Sequence, residues 1–407
     1  MHTAFHLFSR IKSMICAPVV SVRRLFSVTI LVMPVLGSAT NAVGQDSRGD
    51  TWTWEIISPQ PWQVFQRGAD DSAEVNLEVV IDSSPIKYTS LDFRIAGMAG
   101  SDWRAMKPKA DAPGFHTSLT IPSGGWYTIE FIAVAPSGGV LMHTSEPFGV
   151  GEVFVVAGQS NSANHGEERQ SPASDRVVTF DGSTWRPAYD PQPGASGQGG
   201  SFLPPLGDYL TYYFDVPVAF TSCGIGATSV REWLPEGRTF PNPPTIVSRV
   251  RKLENGSWES NGQAFESLCQ RMKSLKPGGF RAVLWHQGES DANQRDASRT
   301  LAGNLYSQYL TDIIRSSRKQ TGLNVPWFVA QVSYHVPGDE SSPDIRKAQA
   351  SLWESGHALQ GPDSDAIKGH FRENNGQGVH FSGPGLREHA RQWGHVIAPW
   401  LEKVVYP

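Results

Sequence analysis

The feature that most constrains this chain is an alternation that begins at residue 151. Apolar runs, "VFVVAG", "VPVAFTSCGIG", "FRAVLWHQG" and "VPWFVAQVS", are separated by stretches such as "GQAFESLCQRMKSL" and "AGNLYSQYLTDIIRSSRKQTG". In the latter, Leu305, Tyr309 and Ile313, with Leu310 one position off, share one face of a helix. Runs that are apolar throughout suit strands buried on both faces. Strands alternating with helices predict an α/β fold, a parallel sheet covered on either side. In such sheets ligands sit beyond the carboxyl ends of the strands.

Residues 51–150 have a different texture. "TWTWEII", "AEVNLEVVI", "SLDFRIAG" and "GWYTIEFIAVA" alternate or run apolar, and clusters of Pro, Gly, Ser and Asp such as "PSGG" and "APSGG" punctuate them. No helical period is present, so a small β-sandwich of immunoglobulin-like type is expected over 51–150. It contains no cluster of His, Asp or Ser that suggests chemistry, and its expected role is packing.

The N-terminus reads as a signal. Arg10, Lys12, Arg23 and Arg24 precede "LFSVTILVMPVLGSA", and small residues follow in "SATNA", ending at Ala42. A positive flank, an apolar run and a small-residue site predict a secretory signal peptide over 1–42 and a secreted or periplasmic product. The run is shorter than the ~20 residues of a membrane span. An uncleaved anchor is the alternative, and Met14 is an alternative start. No membrane span is expected after cleavage. Of the three cysteines, Cys16 leaves with the signal, and Cys223 and Cys269 are expected as buried thiols, although pairing is open in an oxidising compartment. A formal net charge of -4 supplies no basic stripe, which argues against nucleic acid.

The residues that carry chemistry fall at the strand ends. "VFVVAG" delivers Gln159, Ser160 and Asn161 to one of them. A helix starting there would leave backbone N–H groups free to stabilise an anion near Ser160. A plain N-cap serine is the alternative. The stretch is not a G-x-S-x-G elbow, because position 162 is Ser. In "CGIGATSVREW" a free N–H at Gly226 or Ala227 can donate to an oxyanion, or the segment is a simple turn. "LWHQGESDA" brings Gln287, an N–H donor, with Glu289 and Asp291. "GQGVHFSGPGL" adds His380. His165, Glu167 and Glu168 cluster without a ligand spacing, so no metal is expected, nor any other cofactor.

Together, "GQSN" at 158–161, "WHQGES" at 285–290 and "GVHFS" at 378–382 resemble the sialate O-acetylesterase-like branch of the SGNH hydrolases. The order of the blocks and their spacing over 151–400 match, within a domain expected to span 151–407. The resemblance implies a three-layer, flavodoxin-like fold and hydrolysis of acetyl esters on carbohydrates. It implies Ser160 as nucleophile and His380 as general base. The oxyanion donors would be the N–H of Ser160, Gly226 and the Gln287 amide, with Gln159 and Asn161 lining the substrate site. One position departs. The family usually has Asp three residues before the catalytic His, and here Gln377 stands there. An amide brings no charge to stabilise an imidazolium. Another carboxylate is therefore expected beside His380, with Glu289 first in line and Asp291, Asp365 and Glu373 behind it. Gln377 would still orient the ring through its carbonyl. The alternative is a catalytically weak or silent carbohydrate-binding homologue.

Overall fold

The computed structural model describes residues 42–45, 51–82, 88, 90–108, 114–135, 138–276 and 279–406. The expected signal peptide lies outside them, except for its last residue, Ala42, which opens a short strand paired with Thr51–Trp54.

Strands β1 (Thr51–Ser58), β3 (Ser72–Asp82) and β5 (Phe115–Pro122) form an antiparallel sheet. Strands β4 (Ser90–Ala96), β6 (Gly124–Val134) and β7 (Val140–Thr144) pair antiparallel in a second group. Period-two patterning places one set of side chains inward. In β4, Leu91, Phe93 and Ile95 are buried, and Arg94 points outward. They join Trp54, Val75, Leu77 and Phe131 in one core drawn from both groups.

Strand β8 (Phe148–Gly158) continues from this region into the second half of the chain and is buried along its whole length. Over 148–151 it pairs with β2 (Val64–Gln66) and β6. Over 152–158 it pairs in parallel with β11 (Val218–Ser222) and β12 (Ala282–His286). The division drawn from sequence at 150/151 therefore falls inside one strand. Glu152, fully buried at that point, accepts from Arg67 Nε at 2.7 Å and Arg281 Nε at 2.8 Å.

The sheet is mixed. Its parallel strands run in the order β9 (Val177–Phe180), β11, β8, β12, β13 (Trp327–Gln331) and β14 (Leu359–Asp363), with β10 (Trp185–Pro187) antiparallel at the edge. Successive side chains of β8 go to opposite sides: Val153, Val155 and Ala157 enter one core, Phe154 and Val156 another. Helices α1 (Leu203–Phe214) and α5 (Gly383–Val405) fill the second core through Leu206, Leu210, Trp393 and Ile397. Helices α2 (Gln263–Ser274), α3 (Gly303–Thr321) and α4 (Pro343–Glu354) fill the first. On α3, Tyr309, Leu310 and Ile313 are buried as their spacing predicts. Cys223 and Cys269 are free and buried, and burial pushes both thiols up to about 12.

Candidate active site

The carboxyl end of β8 is shaped by Gly158. Its φ is +130°, and a Cβ there would lie 2.0 Å from the His286 carbonyl oxygen on β12. Only glycine fits a conformation and an approach of this kind. The chain then makes a single 3-10 turn, Ser160–Ser162, so the α-helix considered there does not start at Ser160. Ser162 Oγ donates to the Gln159 carbonyl at 2.7 Å, and Asn164 bridges to Gly197, which draws the chain away from a helical path. A helix dipole thus has no part in this site. Ser160 is 5 % exposed, and neither its hydroxyl nor its N–H makes a hydrogen bond among the described residues.

His380 enters from the loop after β14. Its Nδ1 lies 2.8 Å from Glu373 Oε1, and the same oxygen accepts the His380 backbone N–H at 3.0 Å. The intervening turn closes because Asn374, Asn375 and Gly376 all adopt left-handed φ, +52°, +56° and +89°. Gly378 leaves room for the glutamate: a Cβ there would meet Glu373 Cγ at 2.1 Å. Burial holds the His380 imidazole below the usual histidine range, against the raising influence of Glu373. Ser160, His380 and Glu373 line one cavity of about 840 Å³ at the carboxyl ends of the strands, together with His165, Ser196 and Gly226.

A sequence model of a carbohydrate esterase family, the sialic acid-specific acetylesterases, matches residues 150–397, which contain every residue of this cavity. The chain belongs to this carbohydrate esterase family. No curated protein matches it. Among solved structures it is similar to a carbohydrate acetylesterase from Xanthomonas citri, with 17 % identity and a TM-score of 0.49 over 85 % of this chain and 74 % of that one. It is also similar to a protein of Arabidopsis thaliana, with 15 % identity and a TM-score of 0.44 over 62 % and 98 %. A family two carbohydrate esterase from Clostridium thermocellum has 10 % identity and a TM-score of 0.35 over 88 % and 97 %.

In this esterase several residues picked from sequence lie elsewhere than expected. The carboxylate on His380 is Glu373, not Glu289. Glu289 lines the cavity but its Oε1 accepts from Asn161 Nδ2 at 2.9 Å, and its Oε2 is buried without a partner among the described residues. Burial raises the Glu289 carboxyl to about 7. Gln377 is exposed and lines a different cavity, with Tyr334 and His370, so its amide does not orient the ring. Asp291 and Asp365 are committed elsewhere, to Val230 N–H and Ser333 respectively.

The expected oxyanion donors are also redistributed. Gln287 is fully buried and its Nε2 donates to Asp291 Oδ2 at 2.7 Å and the Thr228 carbonyl at 3.1 Å, so it is spent on the interior. The Gly226 N–H donates to Ser196 Oγ at 2.7 Å. Gln159 lines the cavity, but its Oε1 accepts from Gly288 and Ser290 N–H at 3.3 and 3.1 Å and braces the β12 loop. Asn161 links Glu289 to the Val379 carbonyl, 3.2 Å away, beside His380.

Several lining residues were not singled out as part of the site, His165, His335 and Ser196 among them. His165 lies with its ring 5.4 Å from that of His380 and its Nε2 3.0 Å from Ser196 Oγ. His335 Nδ1 lies 2.7 Å from Asp339, and its Nε2 2.6 Å from the Glu289 carbonyl oxygen. Ser196 sits in a Gly-rich loop, "PGASGQGG", with no motif of its own. For His165 alone the sequence offered a signal, the polar cluster after "GQSN".

Proposed function

We propose that the protein is a secreted carbohydrate O-acetylesterase that works through an acetyl-enzyme on Ser160, in a flavodoxin-like sheet preceded by a β-sandwich. The observation that carries this reading is Glu373 Oε1 at 2.8 Å from His380 Nδ1, in the cavity that also holds Ser160. With Nδ1 held, the Nε2 of His380 is the nitrogen available as base. Ser160 Oγ attacks the acetyl carbonyl carbon and its proton passes to Nε2. The imidazolium, stabilised by Glu373, then protonates the departing sugar oxygen, which leaves as the free hydroxyl when the carbon–oxygen bond breaks. Water, deprotonated by His380, hydrolyses the acetyl-Ser160 and releases acetate. The chain's own groups supply each proton transfer, and the substrate is an acetylated carbohydrate.

A silent binding homologue was suggested by the amide at 377. A carboxylate supplied from 373 supports the esterase reading over it. Acetate release from a panel of acetylated glycans, compared with Ser160→Ala, tests the reading. Release by the wild type and its loss in the alanine variant are expected. Equal release by both removes Ser160 from the mechanism.

A further inference from the structure

Of the three oxyanion donors the family pattern assigns, only the Ser160 N–H is unengaged. Gln287 is bonded within the interior and the Gly226 N–H points at Ser196 Oγ, 2.7 Å away. The loop carrying Ser196 is stitched to the site on two sides. Its N–H donates to the Gly224 carbonyl at 2.9 Å, and its carbonyl accepts the Asn164 N–H at 2.9 Å. The Gly224–Gly226 turn is in turn tied to the nucleophile's turn, because Ile225 N–H donates to the Gly158 carbonyl at 2.9 Å. Ser160, Ser196 and Gly226 all face the same cavity.

Proton counting gives Ser196 a role. A hydroxyl has one proton to donate and two acceptor sites. At Ser196 Oγ one site takes the Gly226 N–H. His165 Nε2 stands 3.0 Å away, and burial and the neighbouring His380 hold that imidazole below the usual histidine range. Which of Ser196 and His165 donates depends on the His165 tautomer, and in the form with its proton on Nε2 both acceptor sites of Ser196 Oγ are filled. The Ser196 proton then has no acceptor among the described residues and turns toward the cavity.

We propose that His165 carries its proton on Nε2 and that the Ser196 hydroxyl is a catalytic oxyanion donor, polarised from behind by the Gly226 N–H and by His165. The proposal deepens the esterase reading and rests on it. As Ser160 Oγ bonds to the acetyl carbon, the carbonyl π pair moves onto oxygen. That oxygen accepts from the Ser160 N–H and the Ser196 O–H. Gly226, assigned by the family pattern as a direct donor, acts here through Ser196.

The test uses the full chain, p-nitrophenyl acetate and a small alkylboronic acid, which adds to the serine to give a tetrahedral anion. Ser196→Ala should lower kcat about 10²-fold with KM changed only a few-fold, the loss expected for one oxyanion donor. Boronate affinity should fall by a similar factor, and Ser196→Thr should recover most of both. In the alanine variant the Gly226 N–H remains, one hydrogen-bond length too far back to replace the hydroxyl. If Ser196→Ala keeps wild-type kcat, or loses it without weakening the boronate, the proposal is overturned. If Ser160→Ala also keeps wild-type turnover, the esterase reading itself has failed; abolished turnover in Ser160→Ala beside an unaffected Ser196→Ala confines the failure to Ser196.

Discussion

Glu373 Oε1 holds both the Nδ1 and the backbone N–H of His380, at 2.8 and 3.0 Å, from seven positions upstream. One carboxylate oxygen thus fixes the ring and the main chain that carries it. The two segments are also paired through their backbones, Glu373 N–H to the His380 carbonyl at 2.9 Å.

Glu373→Gln should therefore lower kcat by orders of magnitude, toward the roughly 10⁴-fold loss seen when a triad carboxylate becomes an amide. The pH profile moves in a defined direction. The Glu373 carboxylate favours the imidazolium and raises the His380 pKa. Removing its charge lowers that pKa, so the acid limb of kcat/KM shifts to lower pH. Gln377→Ala, in the other cavity, should leave both kcat and the limb unchanged. A silent Glu373→Gln beside a crippled Gln377→Ala would reverse the assignment.

Arg372 is expected to act on His380 from the opposite sign. It is buried, its guanidinium lies 4.0 Å from the Tyr334 ring centroid and 4.4 Å from that of Phe381, and it donates to the Ser364, Ile367 and Val379 carbonyls. Its charge pushes the His380 pKa down against the raising effect of Glu373, and the His165 ring lies 5.4 Å from that of His380. Arg372→Met should move the acid limb of kcat/KM to higher pH. Arg372→Lys keeps the charge but not the three-carbonyl clamp, and should lower kcat with a smaller movement of the limb. Identical limbs in wild type and methionine variant would show that Arg372 is structural only.

Ser160 and His380, proposed as nucleophile and base, were legible because each sits beside a strand end or a short local motif. "VFVVAG" is a buried strand that stops at glycine, and Ser160 must follow at the carboxyl edge. Glu373 was harder to read. It reaches His380 only because Asn374, Asn375 and Gly376 take left-handed conformations. Asparagine and glycine are the residues that adopt them most readily, so "ENNGQG" held the signal for a tight reversal. The misplacement of Gln287 has another cause. Its amide is drawn inward to Asp291 Oδ2 by packing across α3 and the β11 loop, where Tyr306 OH donates to the Gln287 carbonyl at 2.6 Å. No spacing in one segment reports that. The same holds for the boundary at 150/151, since a change in sequence texture is compatible with one uninterrupted strand.

That strand predicts a stability effect. Glu152 is held by Arg67, Arg281 and Gln66, and both it and Arg67 are fully buried. Removing one partner of a buried ion pair leaves the other charge uncompensated, at a cost of about 3–5 kcal/mol. Glu152→Ala should show this loss in urea unfolding. A change below about 1 kcal/mol would mean that water or rearrangement accommodates the two guanidinium groups.

Glu289 predicts a pH dependence of stability. Burial raises its folded pKa from the ordinary value of 4.5 to about 7, while in the unfolded chain it titrates near the ordinary value. A raised folded pKa means that the folded state binds the proton more tightly. The stabilisation is fully present below pH 4.5 and is lost as pH rises through 7. The shift corresponds to on the order of 3 kcal/mol. Glu232, also raised to about 7 by burial, adds a slope of the same sign, so the wild type alone does not isolate Glu289. The difference between wild type and Glu289→Gln does. The glutamine keeps the carbonyl that accepts from Asn161, and whatever its NH₂ costs at the unpartnered Oε2 position does not vary with pH. Relative to wild type, the variant should therefore gain stability between pH 4.5 and about pH 8, by up to the amount given by the shift. Urea unfolding of the two proteins at both pH values measures it. An unchanged difference would mean that Glu289 is ionised across the whole range, with a charge partner inside the cavity that offsets its burial.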